Sequence, residues 1–262
     1  MRKKQFNFPV KIISSVAIIL LAISFIIGYI WKELTSADFF AVRQVIVRNS
    51  DNQFEYLKGR NIFSLNLGAE AQRANARCPD CRKVRFARIL PNSIVVDFLK
   101  RKAIALVKFY KNFAIDEQGV LFYSEGSPQE QELPVIYGLE TKIFAPAAGI
   151  NYKRSELALA LSILQEFKTN KSFSGFRLKR IDLASPGSAG FFILLPRQIV
   201  NFVLPAPGNE EPGFEVRIGA NNIRQKMMIL GGLVTQERKE WDNIKYIDLR
   251  FKEPLIKLNN VK

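Results

Sequence analysis

The residues best suited to chemistry in this 262-residue chain are its two cysteines, spaced as Cys78-Pro79-Asp80-Cys81. The sequence contains no histidine. That excludes imidazole acid–base catalysis and any metal site needing a histidine ligand. Zinc would need two ligands beyond these thiolates, and the chain has no third cysteine to offer. Three readings of the pair stand: a local disulfide or two inert thiols, a redox-active dithiol, and a metal shared between two chains. A thioredoxin-like dithiol opens a helix, whereas this pair is expected to end one and precede a strand.

Two charged groups come next. Asp248 and Arg250 lie two apart on an expected strand, which suits a same-face ion pair and lacks a nucleophile or base. Lys100-Arg101-Lys102 reads as a solvated strand end or as a contact for anionic headgroups or an acidic partner. The chain has no Gly-rich phosphate loop, no GxSxG, no SxxK and no paired carboxylates at a recognisable spacing. It is expected to bind rather than catalyse, with no cofactor, metal or small-molecule substrate. The formal charge is +15, which favours acidic partners, anionic lipid headgroups or nucleic acid without choosing among them. No nucleic-acid-binding motif accompanies it.

These residues hang from one long apolar run. Ile12 to Trp31 is uncharged and, as a helix, spans about 30 Å, the thickness of the hydrocarbon layer. Tyr29 and Trp31 stand at its far end, where aromatic rings favour the interface. Arg2, Lys3, Lys4 and Lys11 lie on the near side. The expectation is a single-pass anchor over residues 12–31, not a cleaved signal, with a cytoplasmic basic tail over 1–11 and the rest of the chain outside the cytoplasm.

Beyond the anchor, the pattern predicts a strand over Phe39 to Arg48, with a bulge where the apolar spacing steps by three. A short helix from Asp51 to Leu57, capped by Ser50 or Asp51, is broken at Gly59. A polar helix follows over Gly68 to Arg77. Strands over Lys83 to Leu90 and Ser93 to Leu99 are joined by a Pro91-Asn92 turn. This strand-helix-helix-strand-strand unit is expected to occupy residues 38–105.

Residues 106–262 read as a mixed β domain with two helices. Phe113 to Phe122 predicts a hairpin around Asp116-Glu117-Gln118-Gly119. Leu133 to Gly138 is extended. Ser155 to Lys168 predicts a helix burying Leu157, Leu161, Leu164 and Phe167. Strands are expected from Arg180 and over Gly190 to Leu195. Pro205 to Gly213 reads as an exposed loop. A helix over Asn222 to Glu237 is expected to bury Ile223, Met227, Leu230 and Val234. The final expected element is Ile244 to Lys257, with Ile247, Leu249 and Phe251 facing the core. The predicted fold class is α+β.

Several strings carry a family resemblance. They are Phe40-x-Val42-x-x-Val45-x-Val47, Gly59-x-Asn61-Ile62-Phe63-x-Leu65, Leu90-Pro91-Asn92-x-Ile94-x-Val96, Ile115-Asp116-x-x-Gly119-Val120-x-Phe122, Leu133-Pro134-Val135-Ile136-x-Gly138 and Tyr246-Ile247-Asp248-Leu249-Arg250-Phe251. In this order, behind one anchor, they resemble the FtsQ/DivIB cell-division proteins, whose first outer unit is a POTRA domain. The sequence departs from the family's usual Glu-Arg-x-Pro at Lys100 to Ala103. The resemblance implies a non-enzymatic scaffold of the bacterial division machinery, in the cytoplasmic membrane at the division site. It implies single-pass coiled-coil partners of the FtsB/DivIC and FtsL type, met by strand addition at the last strand edge. The residues expected to carry that contact are Phe251, Lys252, Glu253, Leu255, Ile256 and Lys257. A membrane-tethered thiol oxidoreductase using Cys78 and Cys81 is the alternative.

Overall fold

A computed structural model describes residues 10–196, 212–236, 241 and 244–259. Most of the basic tail and residues 205–211 of the expected loop lie outside them. The chain divides into two compact units, residues 1–100 and 101–262.

The first unit begins with α1 (Val10–Ser36). Among the described residues it is the one helix long and apolar enough to cross a membrane. Then come β1 (Gln44–Arg48), α2 (Leu67–Ala76), β2 (Cys81–Ile89) and β3 (Ser93–Lys100). The sheet order is β1-β3-β2, with β1 parallel to β3 and β2 antiparallel to it. Period-two alternation sends Ile94, Val96 and Phe98 of β3 into a core with Leu57, Ile62, Leu65 and Val84. Asn66 caps α2 by accepting the Ala69 N–H at 3.1 Å.

Two local expectations change here. The stretch expected as one strand from Phe39 is a 3-10 turn at Asp38–Phe40 followed by two different pairings. Phe40 and Val42 bond to the 59–62 segment, with Ile62 N–H donating to Phe40 O at 2.8 Å and Val42 N–H to Arg60 O at 2.9 Å. β1 then pairs with β3. The apolar step of three marks that change of neighbour. The helix expected over Asp51 to Leu57 is a single 3-10 turn at Glu55–Leu57. Its Phe54 inserts edge-on against Phe86, ring centroids 5.4 Å apart.

The second unit runs β4 (Ala105–Lys108), β5 (Asn112–Ile115), β6 (Val120–Tyr123), a one-turn α3 (Pro128–Gln131), β7 (Val135–Tyr137), β8 (Ile150–Asn151), α4 (Ser155–Thr169), β9 (Arg177–Asp182), β10 (Ser188–Leu194), β11 (Gly213–Gly219), α5 (Ile223–Gln236), β12 (Ile244–Asp248) and β13 (Leu255–Leu258). One sheet orders them β13-β12-β11-β10-β9-β7-β4-β5-β6-β8. β7 and β9 are parallel neighbours joined through α4, and β11 and β12 are parallel neighbours joined through α5. Both crossovers step the same way along the sheet between strands of the same direction. With the usual right-handed connection, both helices fall on one face.

The α4 stripe is rotated from the expected one. Leu157, Leu159, Ala160 and Ile163 are buried, while Leu161, Leu164 and Phe167 pack only partly against the core. α5 buries Met227, Leu230 and Val234 as expected, with Gly231 in place of Ile223. A Cβ at Gly231 would lie 2.9 Å from Ser172 Cβ, so the glycine permits the close approach of α5 to the 3-10 turn Lys171–Phe173.

Candidate partner-binding edge

The end of the sheet is built from Asp248. It closes β12, and its side chain is almost fully buried at 5% exposure. One carboxylate oxygen accepts the Arg250 backbone N–H at 3.0 Å, forming a local turn. The Arg250 guanidinium folds back onto the same carboxylate, with Nε at 3.0 Å and Nη2 at 2.6 Å from its two oxygens. The hydrogen bond from the Arg250 side chain holds the Asp248 carboxyl below its ordinary range, against the opposing effect of burial.

That turn corrects the expectation of one continuous final element. The chain leaves β12 after Asp248, reverses over residues 249–254, and returns as β13. Leu249 is buried and donates its N–H to Arg217 O at 2.7 Å. Phe251, expected on the core face with Ile247 and Leu249, is instead 57% exposed, because the turn breaks the alternation before it. Phe251, Lys252 and Glu253 form the reversal; Leu255, Ile256 and Lys257 lie on β13.

β13 pairs antiparallel with β12 and ends the sheet order, so its other edge has no neighbour in the described structure. All four of its residues are exposed. Leu255, Ile256 and Leu258 therefore present apolar side chains on an open strand edge. Natural edge strands are ordinarily blunted by charge, proline or a covering element, and β13 itself carries only Lys257 as a charge. Beside it, Tyr246 lies under the Arg217 guanidinium at 4.4 Å from the ring centroid, with Lys257 Nζ at 5.8 Å. Glu215 pairs with Arg217 at 2.9 Å. Leu258 and this tyrosine–arginine platform were not singled out in the sequence. The run Leu255-Ile256-Lys257-Leu258, rich in large apolar residues just after a proline, was the available signal for the strand.

The other candidates resolve differently. Cys78 and Cys81 are joined by a disulfide that links the end of α2 to the start of β2. A helix C-terminus disfavours a thiolate, so the pair lacks the setting of a reactive dithiol. No group of metal-ligating side chains occurs among the described residues. Arg101, read as part of a solvated basic run, is largely buried and pairs with Asp116 at 2.5 Å. The other Asp116 oxygen accepts the N–H groups of Gln118 at 3.0 Å and Val120 at 2.9 Å, which shapes the β5–β6 turn. Gly119 completes that turn at φ +77°.

Comparison with known proteins places this architecture. Residues 105–250 match the family described as cell division protein FtsQ/DivIB, C-terminal, which covers more than half of the chain. A stretch of 105 residues is 30% identical to a cell division protein FtsQ of Myxococcus fulvus. It covers 39% of this chain and 37% of that relative's length. The family match stops at Arg250, so β13 lies just beyond it.

Proposed function

From the premise that this chain belongs to the FtsQ/DivIB family of bacterial cell-division proteins, we propose that it is a non-enzymatic scaffold that recruits single-pass coiled-coil partners of the FtsB/DivIC and FtsL type during septum formation. The anchor crosses the cytoplasmic membrane once, with the N-terminus cytoplasmic and both outer units beyond the membrane at the division site. The contact is strand addition to β13, with Phe251, Lys252, Glu253, Leu255, Ile256 and Lys257 around it. The observation that supports this reading is the edge of β13, which has no neighbour among the described residues, with its exposed leucines and isoleucine. Backbone N–H and C=O groups along such an edge supply affinity, and alternate side chains supply selectivity.

Proline scanning of the edge tests it. Successive residues of an edge strand turn their N–H groups alternately inward and outward, so of Leu255→Pro and Ile256→Pro one removes an outward donor. Capture of the division partner by the full chain, measured alongside a melting curve, is expected to fail for the variant that melts normally. Undiminished capture by both folded variants would place the interface elsewhere.

A further inference from the structure

The string Gly59-x-Asn61-Ile62-Phe63 takes no part in the β13 edge; Ile62 is buried in the first unit's core, while Asn61 and Phe63 reach the end of α1. The last carbonyls of any helix lack intrahelical donors. Here the Asn61 amide nitrogen supplies one, donating to Leu34 O at 2.9 Å and to Ala37 O at 3.2 Å. The Asn61 amide oxygen accepts the Phe63 N–H at 2.9 Å, which fixes the orientation of the side chain. The chain beyond α1 is thereby drawn back alongside the final helical turns.

That return builds a row of rings. Phe63 lies edge-on to Trp31 with centroids 6.4 Å apart, Phe40 lies 5.1 Å from Phe63, and Phe39 lies 5.1 Å from Phe40. Trp31 and Phe39 remain 56% and 62% exposed. An open notch beside the row is lined by Tyr29, Ile30, Glu33, Leu34, Ala37 and Phe40, all apolar or aromatic except Glu33. α1 continues five residues past Trp31, roughly 8 Å at 1.5 Å per residue. The headgroup layer on each side of the hydrocarbon is about 5–8 Å deep. A helix whose hydrocarbon span ends at Trp31 thus releases the chain at the outer surface of the headgroups, and the Asn61 clamp brings Phe63 back to the level of Trp31.

We propose that Phe39, Phe40 and Phe63, with Trp31, form a lipid-interface seat that rests the first outer unit on the membrane, and that Asn61 holds the seat against α1. This rests on reading α1 as the membrane span. The occupant is lipid because the row is continuous with the Tyr29–Trp31 end of that span, where aromatic rings partition into the interface. The unit is seated, not suspended on a free tether.

The full chain carrying the photoreactive residue benzoyl-phenylalanine, reconstituted in phosphatidylethanolamine–phosphatidylglycerol vesicles, tests the seat by mass spectrometry of lipid adducts. Phe25, 78% exposed along α1, reports on the span; Tyr56, 55% exposed in the same outer unit, is the off-seat control. The expected result is adducts at positions 25 and 39, with position 39 several-fold above position 56. Asn61→Ala is expected to lower the yield at position 39 toward that control while position 25 is unchanged. Adducts at 25 with equal yields at 39 and 56 would overturn the seat and leave the anchor standing. Unchanged yield at 39 in the Asn61→Ala variant would overturn the clamp. No adducts at 25 would remove the span and the seat together.

Discussion

Arg250 turns back two residues along the chain and forks onto the carboxylate of Asp248, the residue at which β12 ends. Asp248→Asn keeps the shape but weakens two charge-assisted contacts. It is expected to lower unfolding stability by about 1–3 kcal/mol. Urea unfolding of the protein measures it. A larger relative loss of partner capture than of stability would show that the turn also positions the edge.

The same carboxylate gives a pH dependence of known sign. Its folded-state pKa lies below the ordinary value. Its contribution is therefore full above the unfolded carboxylate pKa of about 3.9 and is lost as pH falls from there through the lowered folded value. Acid titration of stability is expected to show a component between those limits that disappears in Asp248→Asn. Identical acid profiles for the two proteins would remove Asp248 from the linkage.

Arg101 and Asp116 are the second test of burial. Their side chains are 11% and 7% exposed. Asp116→Ala removes the carboxylate that Arg101 pairs with and the acceptor of two turn N–H groups, at an expected cost of about 1–3 kcal/mol. Lys102→Ala, one residue away and exposed, is expected to change stability by less than about 0.5 kcal/mol. Chemical denaturation of both variants provides the comparison.

Replacing Cys78 and Cys81 with Ser is expected to be mild. The disulfide closes a four-residue segment, and loop-closure entropy at that length amounts to about 2 kcal/mol. Division function is expected to persist in cells carrying the double variant at normal abundance. Loss of division at normal abundance would give the pair a role beyond bracing α2 against β2.

Separate folding of the two units is a further expectation. A fragment covering residues 38–105 should give a dispersed amide spectrum, since the first unit has its own core around Leu57, Ile62, Ile94 and Phe98. A random-coil spectrum would show that it depends on the second unit.

Where periodicity and turn chemistry agreed, the fold was legible in the sequence. Ile94, Val96 and Phe98 announced β3, Asp116 to Gly119 announced a hairpin turn, and Met227, Leu230 and Val234 announced α5. The misreadings have local causes. Asp51 to Leu57 has helical composition but is too short to hold more than one turn once Phe54 is drawn into the core. Phe251 continues the alternation of Ile247 and Leu249 on paper, and only the Asp248–Arg250 contact shows the strand already ended. Arg101 looked like one of three surface cations because its partner lies fifteen residues away. The open edge itself was foreshadowed by the family resemblance, but its exposure depends on a sheet order that no local pattern encodes.

Hydrogen exchange along residues 244–259, with and without a single-pass division protein of the proposed type, tests strand addition most directly. Slowed exchange confined to alternate amides of Leu255–Leu258 on partner addition is the expected result, because only outward N–H groups gain new acceptors. Unchanged exchange across β13 under conditions where the partner is bound would contradict the edge as the site of recruitment.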